Sequence, residues 1–179
     1  MKITENIKVE NARIGFRNFT GKEGQYNPAG RRNFCVFFEP EIARDLEEDG
    51  WNIRWLEPKN EGDDRQAYLQ VAVSFDNIPP KILLISSNGK TVINENNASL
   101  LDWAEIKEVD LIIRPYNWTT NPGTRNEKSG VKAYVKSMYV TIEEDEFESK
   151  YISVPDSASG SIGGCGNCEE CDGHCHDER

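Results

Sequence analysis

Two stretches of strict alternation, Val109-Asp110-Leu111-Ile112-Ile113-Arg114-Pro115-Tyr116-Asn117-Trp118 and Val131-Lys132-Ala133-Tyr134-Val135-Lys136-Ser137-Met138-Tyr139-Val140-Thr141, constrain this chain most. Side chains of a β-strand point to opposite faces in turn, so a period of two written over ten residues predicts a strand with two unlike faces. In the first stretch Val109, Leu111, Ile113 and Pro115 share one face, while Asp110, Ile112, Arg114, Tyr116 and Trp118 share the other. In the second, Val131, Ala133, Val135, Ser137 and Tyr139 oppose Lys132, Tyr134, Lys136 and Met138. Asn121-Pro122-Gly123 lies between them in a polar segment, which suits a hairpin turn.

The same reading predicts further strands at about 6–19, 32–38, 51–57, 67–75 and 80–86, with polar surface loops at 20–30, 58–66 and 119–129. Helices are few. Pro40, the acidic turns after it and the stop at Gly50 predict a helix of about ten residues. Residues 97–107 predict a second, with Asn97 as cap and Leu100, Leu101, Trp103, Ala104 and Ile106 as its apolar face. Long strands with one or two short helices in about 140 residues point to a small mixed barrel, not a doubly wound α/β sheet.

The 179 residues are enough for one ordinary domain with a core and a tail. No apolar run approaches the ~20 residues of a spanning helix, and the opening Met1-Lys2-Ile3-Thr4-Glu5 has no signal-type apolar region, so a cytoplasmic protein without a membrane partner is expected. A net charge of -10 argues against a polyanionic ligand at first sight. The charge is lopsided, however. Residues 143–179 hold 11 acidic and two basic side chains, which leaves 19 basic against 20 acidic in residues 1–142. Residues 1–142 therefore read as a near-neutral folded domain and 143–179 as an acidic, disordered tail.

If the two alternating strands pair, Arg114, Tyr116, Trp118, Lys132, Tyr134 and Lys136 share one exposed face of a sheet. Rings on which bases stack, interleaved with cations for phosphates, make up a single-strand-binding platform. Arg13, Arg17, Phe19, Arg31 and Arg32 could extend it. The same pattern also suits a sheet merely stabilised by cross-strand aromatic pairs.

Five segments together resemble the OB-fold single-stranded DNA-binding proteins of tailed bacteriophages and prophages. They are Arg32-Asn33-Phe34-Cys35-Val36-Phe37-Phe38, Tyr68-Leu69-Gln70-Val71-Ala72-Val73-Ser74-Phe75, Asp102-Trp103-Ala104-Glu105-Ile106, and the two alternating strands, taken as Val109 to Trp118 and Gly130 to Ile142. The resemblance spans residues 5–150 and lies in the combination, since no one stretch is a signature. It implies a five-stranded OB-fold barrel with inserted short helices. It also implies cooperative coating of single-stranded DNA during phage replication or recombination, and an acidic tail that docks replication or recombination proteins. Cellular relatives close that tail with an aromatic residue, whereas this sequence reads His176-Asp177-Glu178-Arg179.

The tail carries Cys165, Cys168, Cys171 and Cys175 with His174 and His176 interleaved. Four thiolates and two imidazoles in twelve residues can supply a tetrahedral zinc site. The literal spacing is also that of an iron-sulfur run, but His176 replaces the usual proline and no second cluster motif or apolar shell accompanies it. A tail with no physiological metal is the third alternative. Cys35, remote from these, reads as a small apolar strand residue.

Enzyme readings find little support. Both histidines lie in the tail, so residues 1–142 offer no histidine base for a nucleophile. Gly89-Lys90-Thr91 lacks the glycine that a phosphate loop needs five positions earlier, where Leu84 stands, and reads as a turn. The expectation is a non-enzymatic single-stranded DNA binder that requires no cofactor. The alternatives are a zinc-chelating protein adaptor and a binder of single-stranded RNA.

Overall fold

The two alternating segments form one long hairpin: Ile106–Thr120 pairs antiparallel with Lys128–Ile142, from Ile106 opposite Ile142 to Thr120 opposite Lys128. They are the last of nine strands among the described residues. In chain order these are β1 (Ile7–Val9), β2 (Arg13–Asn18), β3 (Arg32–Phe38), β4 (Ile53–Leu56), β5 (Gln66–Val73), β6 (Lys81–Ser86), β7 (Gly89–Ile93), β8 (Ile106–Thr120) and β9 (Lys128–Ile142). Helix α1 (Pro40–Glu48) follows β3, and α2 (Leu100–Trp103) precedes β8. This computed structural model describes residues 2–144; most of the predicted tail, with Cys165, Cys168, Cys171, His174, Cys175 and His176, lies outside them.

The hydrogen-bonded path runs β1-β8-β9-β5-β3-β2, with β4 on β5, β6 on β9 and β7 on β6. β5 and β6 run parallel to β9; the other pairs are antiparallel. The two ends of the path, β1 and β2, are consecutive in the chain and form two parts of one bent segment. The bend is at Asn11, whose φ is 48°. Its N–H donates to Asp110 Oδ1 at 2.8 Å, and the Ala12 N–H donates to the Val109 carbonyl at 2.7 Å. The stretch predicted as one strand over 6–19 thus serves β8 with its first half and β3 with its second. The result is mainly β and OB-like, as expected.

The core is the inner face of this sheet. Phe34, Val36 and Phe38 of β3, Leu69 and Val71 of β5, Val109, Leu111 and Ile113 of β8, and Ala133 and Val135 of β9 are all buried. Each large apolar side chain so removed from water contributes about 1.5–3 kcal/mol before entropy is counted. Helix α1 begins with Pro40 in its first turn, carries Glu41 there, and buries Ala43.

Three sequence expectations are corrected. Alternation along β9 reverses: Ile112 opposes Ser137 while Ile113 opposes Val135, so Lys136 is an extra residue on β9. Such a bulge turns the following side chains over. Met138 and Val140 therefore face the core, Met138 fully buried, and Tyr139 stands outside with the Lys81 ammonium 5.8 Å from its ring centroid. Second, the helix expected over 97–107 shrinks to Leu100–Trp103, and Ile106 already belongs to β8. Arg17 Nη1 donates at 2.9 Å to the carbonyls of Leu101 and Ala104, and Ala104 is extended. Only Leu101 of the expected apolar face is buried; Leu100 and Trp103 are exposed. Third, Gly89 opens β7, where a turn alone was read; Ser87 and Asn88 form a two-residue loop between β6 and β7.

Candidate nucleic-acid interface

The outer face of the sheet is built around Tyr134. On β8 its cross-strand neighbour is Arg114, and on β5 it is Ala72, itself opposite Asn33 of β3. One register row thus crosses four strands as Arg114, Tyr134, Ala72 and Asn33. Ala72 and Tyr134 both line an open groove. Cations hold the ring: the Arg114 guanidinium lies 5.4 Å and the Lys132 ammonium 5.1 Å from its centroid. Tyr116, opposite Lys132, meets it edge-on at 5.9 Å and 89°. Tyr116 is about half exposed.

Trp118 ends the row of rings. It stands opposite Gly130, and a Cβ on Gly130 would come within 2.7 Å of Trp118 Cζ2 and 2.9 Å of Cε2. The indole is thus laid across the glycine. Phe37 of β3 uses the same device, its Cε2 lying 2.7 Å from where a Cβ on Gly15 would stand.

An open groove of about 370 Å³ runs from Tyr134 and Lys132 across β5 and β3 to the loop 20–31. Arg31, Arg32, Phe75, Asp76 and Tyr26 also line it. Tyr26 is 91% exposed. The loop is shaped by Asn27, whose amide donates to the carbonyls of Lys22 (3.0 Å) and Arg31 (2.9 Å) and accepts from Asn33 at 2.8 Å. Arg31 is exposed, while Arg32 is half-buried, 5.5 Å from the Phe75 centroid and 3.7 Å from Glu95. Cations stand beside a half-buried ring that lines an open groove, an arrangement suited to stacking a base while its flanking phosphates are neutralised.

A family whose description reads "Putative phage ssDNA-binding domain" matches residues 1–170. The chain belongs to this family of phage single-stranded DNA-binding domains. No curated protein sequence matches it. Among solved structures, the single-stranded DNA-binding protein from bacteriophage Enc34 in complex with ssDNA is similar with a TM-score of 0.50. Identity is 12% and the match covers 78% of this chain and 88% of that one. A second structure of the Enc34 protein gives 0.48, with 12% identity over 78% and 82%. Gp2.5, a single-stranded DNA-binding protein encoded by bacteriophage T7, gives 0.38 at 8% identity over 90% and 100%. The Enc34 complex shares the fold of this family member.

Of the residues singled out by sequence, Arg114, Tyr116, Trp118, Lys132 and Tyr134 stand together on β8 and β9, and Arg31 and Arg32 join them across the groove. Lys136 is exposed at the bulge. Arg17 is committed to the α2 carbonyls. Phe19 is a correction: it is fully buried, stacked on Phe34 at 5.2 Å and 22°, and belongs to the core. A bulge in β2 explains both, since Gly15 opposes Cys35 but Asn18 opposes Asn33, which shifts every residue after Phe16 by one.

Sequence reasoning missed a second group of rings. Phe37 and Tyr68 are opposite each other on β3 and β5, with centroids 6.4 Å apart, and Phe16 lies 6.0 Å from Phe37. Arg13 covers Phe37 at 5.1 Å and bonds the Gln66 amide oxygen. Phe16 is 65% exposed with φ 48°, a strained conformation for an aromatic residue. The available signal was the polar phase of β5, Gln66, Tyr68 and Gln70, which marks the outer face.

Proposed function

We propose that this protein coats single-stranded DNA in phage replication or recombination through the Tyr134 groove, without catalysis and without a required cofactor. The observation that carries the assignment of the site is the Tyr134 ring held between Arg114 and Lys132 and open to a groove with Arg31 on its far side. Membership in a phage single-stranded DNA-binding family supports it. Among the described residues no helix is long and apolar enough to cross a membrane. A protein that coats phage DNA as it is copied acts in the host cytoplasm.

The acidic tail is assigned two roles: docking of replication or recombination proteins, and competition with DNA for the cationic face. Cys165, Cys168, Cys171, Cys175, His174 and His176 are assigned to zinc, which metal analysis of protein purified without chelator tests directly.

Binding is tested with oligothymidylate, duplex DNA and RNA of matched length. Preference for the DNA single strand is expected, with log affinity falling against log salt by about 0.7 per phosphate contact. Lys132→Ala should reduce that slope by about one contact. Equal affinity for duplex, or a preference for RNA, would overturn the assignment.

A further inference from the structure

Trp103 is 77% exposed, yet the short helix that carries it is tied down on both sides. Next to it, Asp102 accepts hydrogen bonds from the Phe19 N–H at 2.7 Å, the Thr20 N–H at 2.9 Å and the Thr20 hydroxyl. On its other side Arg17 ties down the Leu101 and Ala104 carbonyls. Five hydrogen bonds thus fix a four-residue helix that buries only Leu101 and holds an indole out in water. A backbone fixed in advance leaves only the indole's own rotamer to order on binding.

The surroundings match those of Tyr134. The Lys22 ammonium lies 5.4 Å from the Trp103 centroid, and Arg13, Arg17 and Lys107 line the adjoining groove with Glu105 and Glu108. The two sites are linked through the loop 20–31. The Lys22 carbonyl accepts from Asn18 and Asn27 at 3.0 Å each, Asn27 accepts from Asn33, and Asn33 shares the register row of Tyr134. From β9 to β2 that row crosses three strand spacings, about 14 Å, a short step for a single strand.

We infer that Trp103 and Lys22 form an outlying base-stacking station that lengthens the DNA path across β2, a proposal that rests on the Tyr134 groove as the primary site. The Lys22 ammonium against the ring, with Arg13 and Lys107 in the adjoining groove, favours a nucleic acid over an apolar protein partner, for which Leu100 is the exposed apolar neighbour on α2.

Oligothymidylates of graded length separate the stations. With the shortest that binds, Trp103→Ala should match the parent within about twofold. With long ones it should bind roughly five- to 150-fold more weakly, the worth of one stacked base, and occlude fewer nucleotides. Trp103→Tyr should restore most of the loss, and Lys22→Glu should reproduce it. Parent-like binding by Trp103→Ala at every length overturns the proposal and makes Trp103 a protein-facing residue. An equal loss at all lengths that Trp103→Tyr does not restore overturns it as well, since the role is then structural. If Tyr134→Ala also binds like the parent, the primary reading fails, and this proposal with it.

Discussion

Trp118 lies across Gly130, so close that the missing Cβ is what admits the indole: a methyl there would stand 2.7 Å from Cζ2. Real Cβ contacts at that distance do not occur, and the neighbour is a broad ring, not a flexible chain end. Gly130→Ala should therefore displace Trp118 and leave the hairpin paired. A change in tryptophan emission, several-fold weaker single-strand binding and a melting temperature within a few degrees of the parent are expected. An unchanged affinity would show that the flat indole is not needed.

Tyr134→Ala removes the ring that Arg114, Lys132 and Tyr116 all touch. Its loss should cost about 1–3 kcal/mol of binding, the value of a stacked base. Because the ring is on the outer face, thermal stability should fall far less than binding. Tyr134→Phe, which keeps the ring, should bind nearly as well as the parent. Titration of a labelled oligonucleotide beside a thermal melt measures both.

Phe19→Ala makes the opposite prediction. The ring is sealed in the core against Phe34, so the cost should be about 3–5 kcal/mol of folding free energy. For a domain of this size that lowers the melting temperature on the order of 10 °C. Protein that remains folded should bind DNA at parental affinity, as a core ring has no base to meet.

Cys35 is 6% exposed, and burial pushes its thiol up to about 11. Its folded pKa exceeds its ordinary one, so the stabilisation is complete below the ordinary value of 9.0 and is lost as pH rises through about 11. At neutral pH the thiol is protonated and covered. In a variant with the four tail cysteines changed to Ser, a thiol reagent should label almost nothing natively and one site per chain after denaturation. Rapid native labelling would contradict the burial.

Truncation after Asp145 keeps the contacts that end the sheet, where Glu143 N–H donates to the Glu105 carbonyl and Glu144 accepts from the Ser87 N–H. It removes residues 146–179, which hold eight acidic and two basic side chains. If the tail competes with DNA, the truncated protein should bind more tightly, most visibly at low salt where charges are least screened. Equal affinity at all salt concentrations would remove the competitor role.

Period-two alternation made the hairpin and its cationic face legible, because within a strand each side chain's face follows from its position alone. Arg114, Tyr116, Trp118, Lys132 and Tyr134 all lie before the bulge and all appear where the alternation puts them. Beyond it the inference failed: nothing local in Val135-Lys136-Ser137 announces an extra residue, and Met138 moved to the core. Phe19 failed in the same way, one bulge downstream on β2. The second group of rings, Phe37, Tyr68 and Phe16, was hidden because the three come from segments brought together only by β-pairing.

Local chemistry in the chain thus settled the strand-rich class, the start of α1 at Pro40, the central hairpin and the side on which its aromatic and basic residues stand. The bend at Asn11, the shortening of α2 and the joining of Arg31 to Tyr134 in one groove belong to the fold. Each depends on a partner distant in sequence: the Asp110 carboxylate on Asn11, Arg17 on the Leu101 and Ala104 carbonyls, and the β3–β5–β9 register on the groove. A hydrogen bond across some eighty to a hundred residues can override a local preference worth a few tenths of a kcal/mol. Local sequence patterns do not record such bonds.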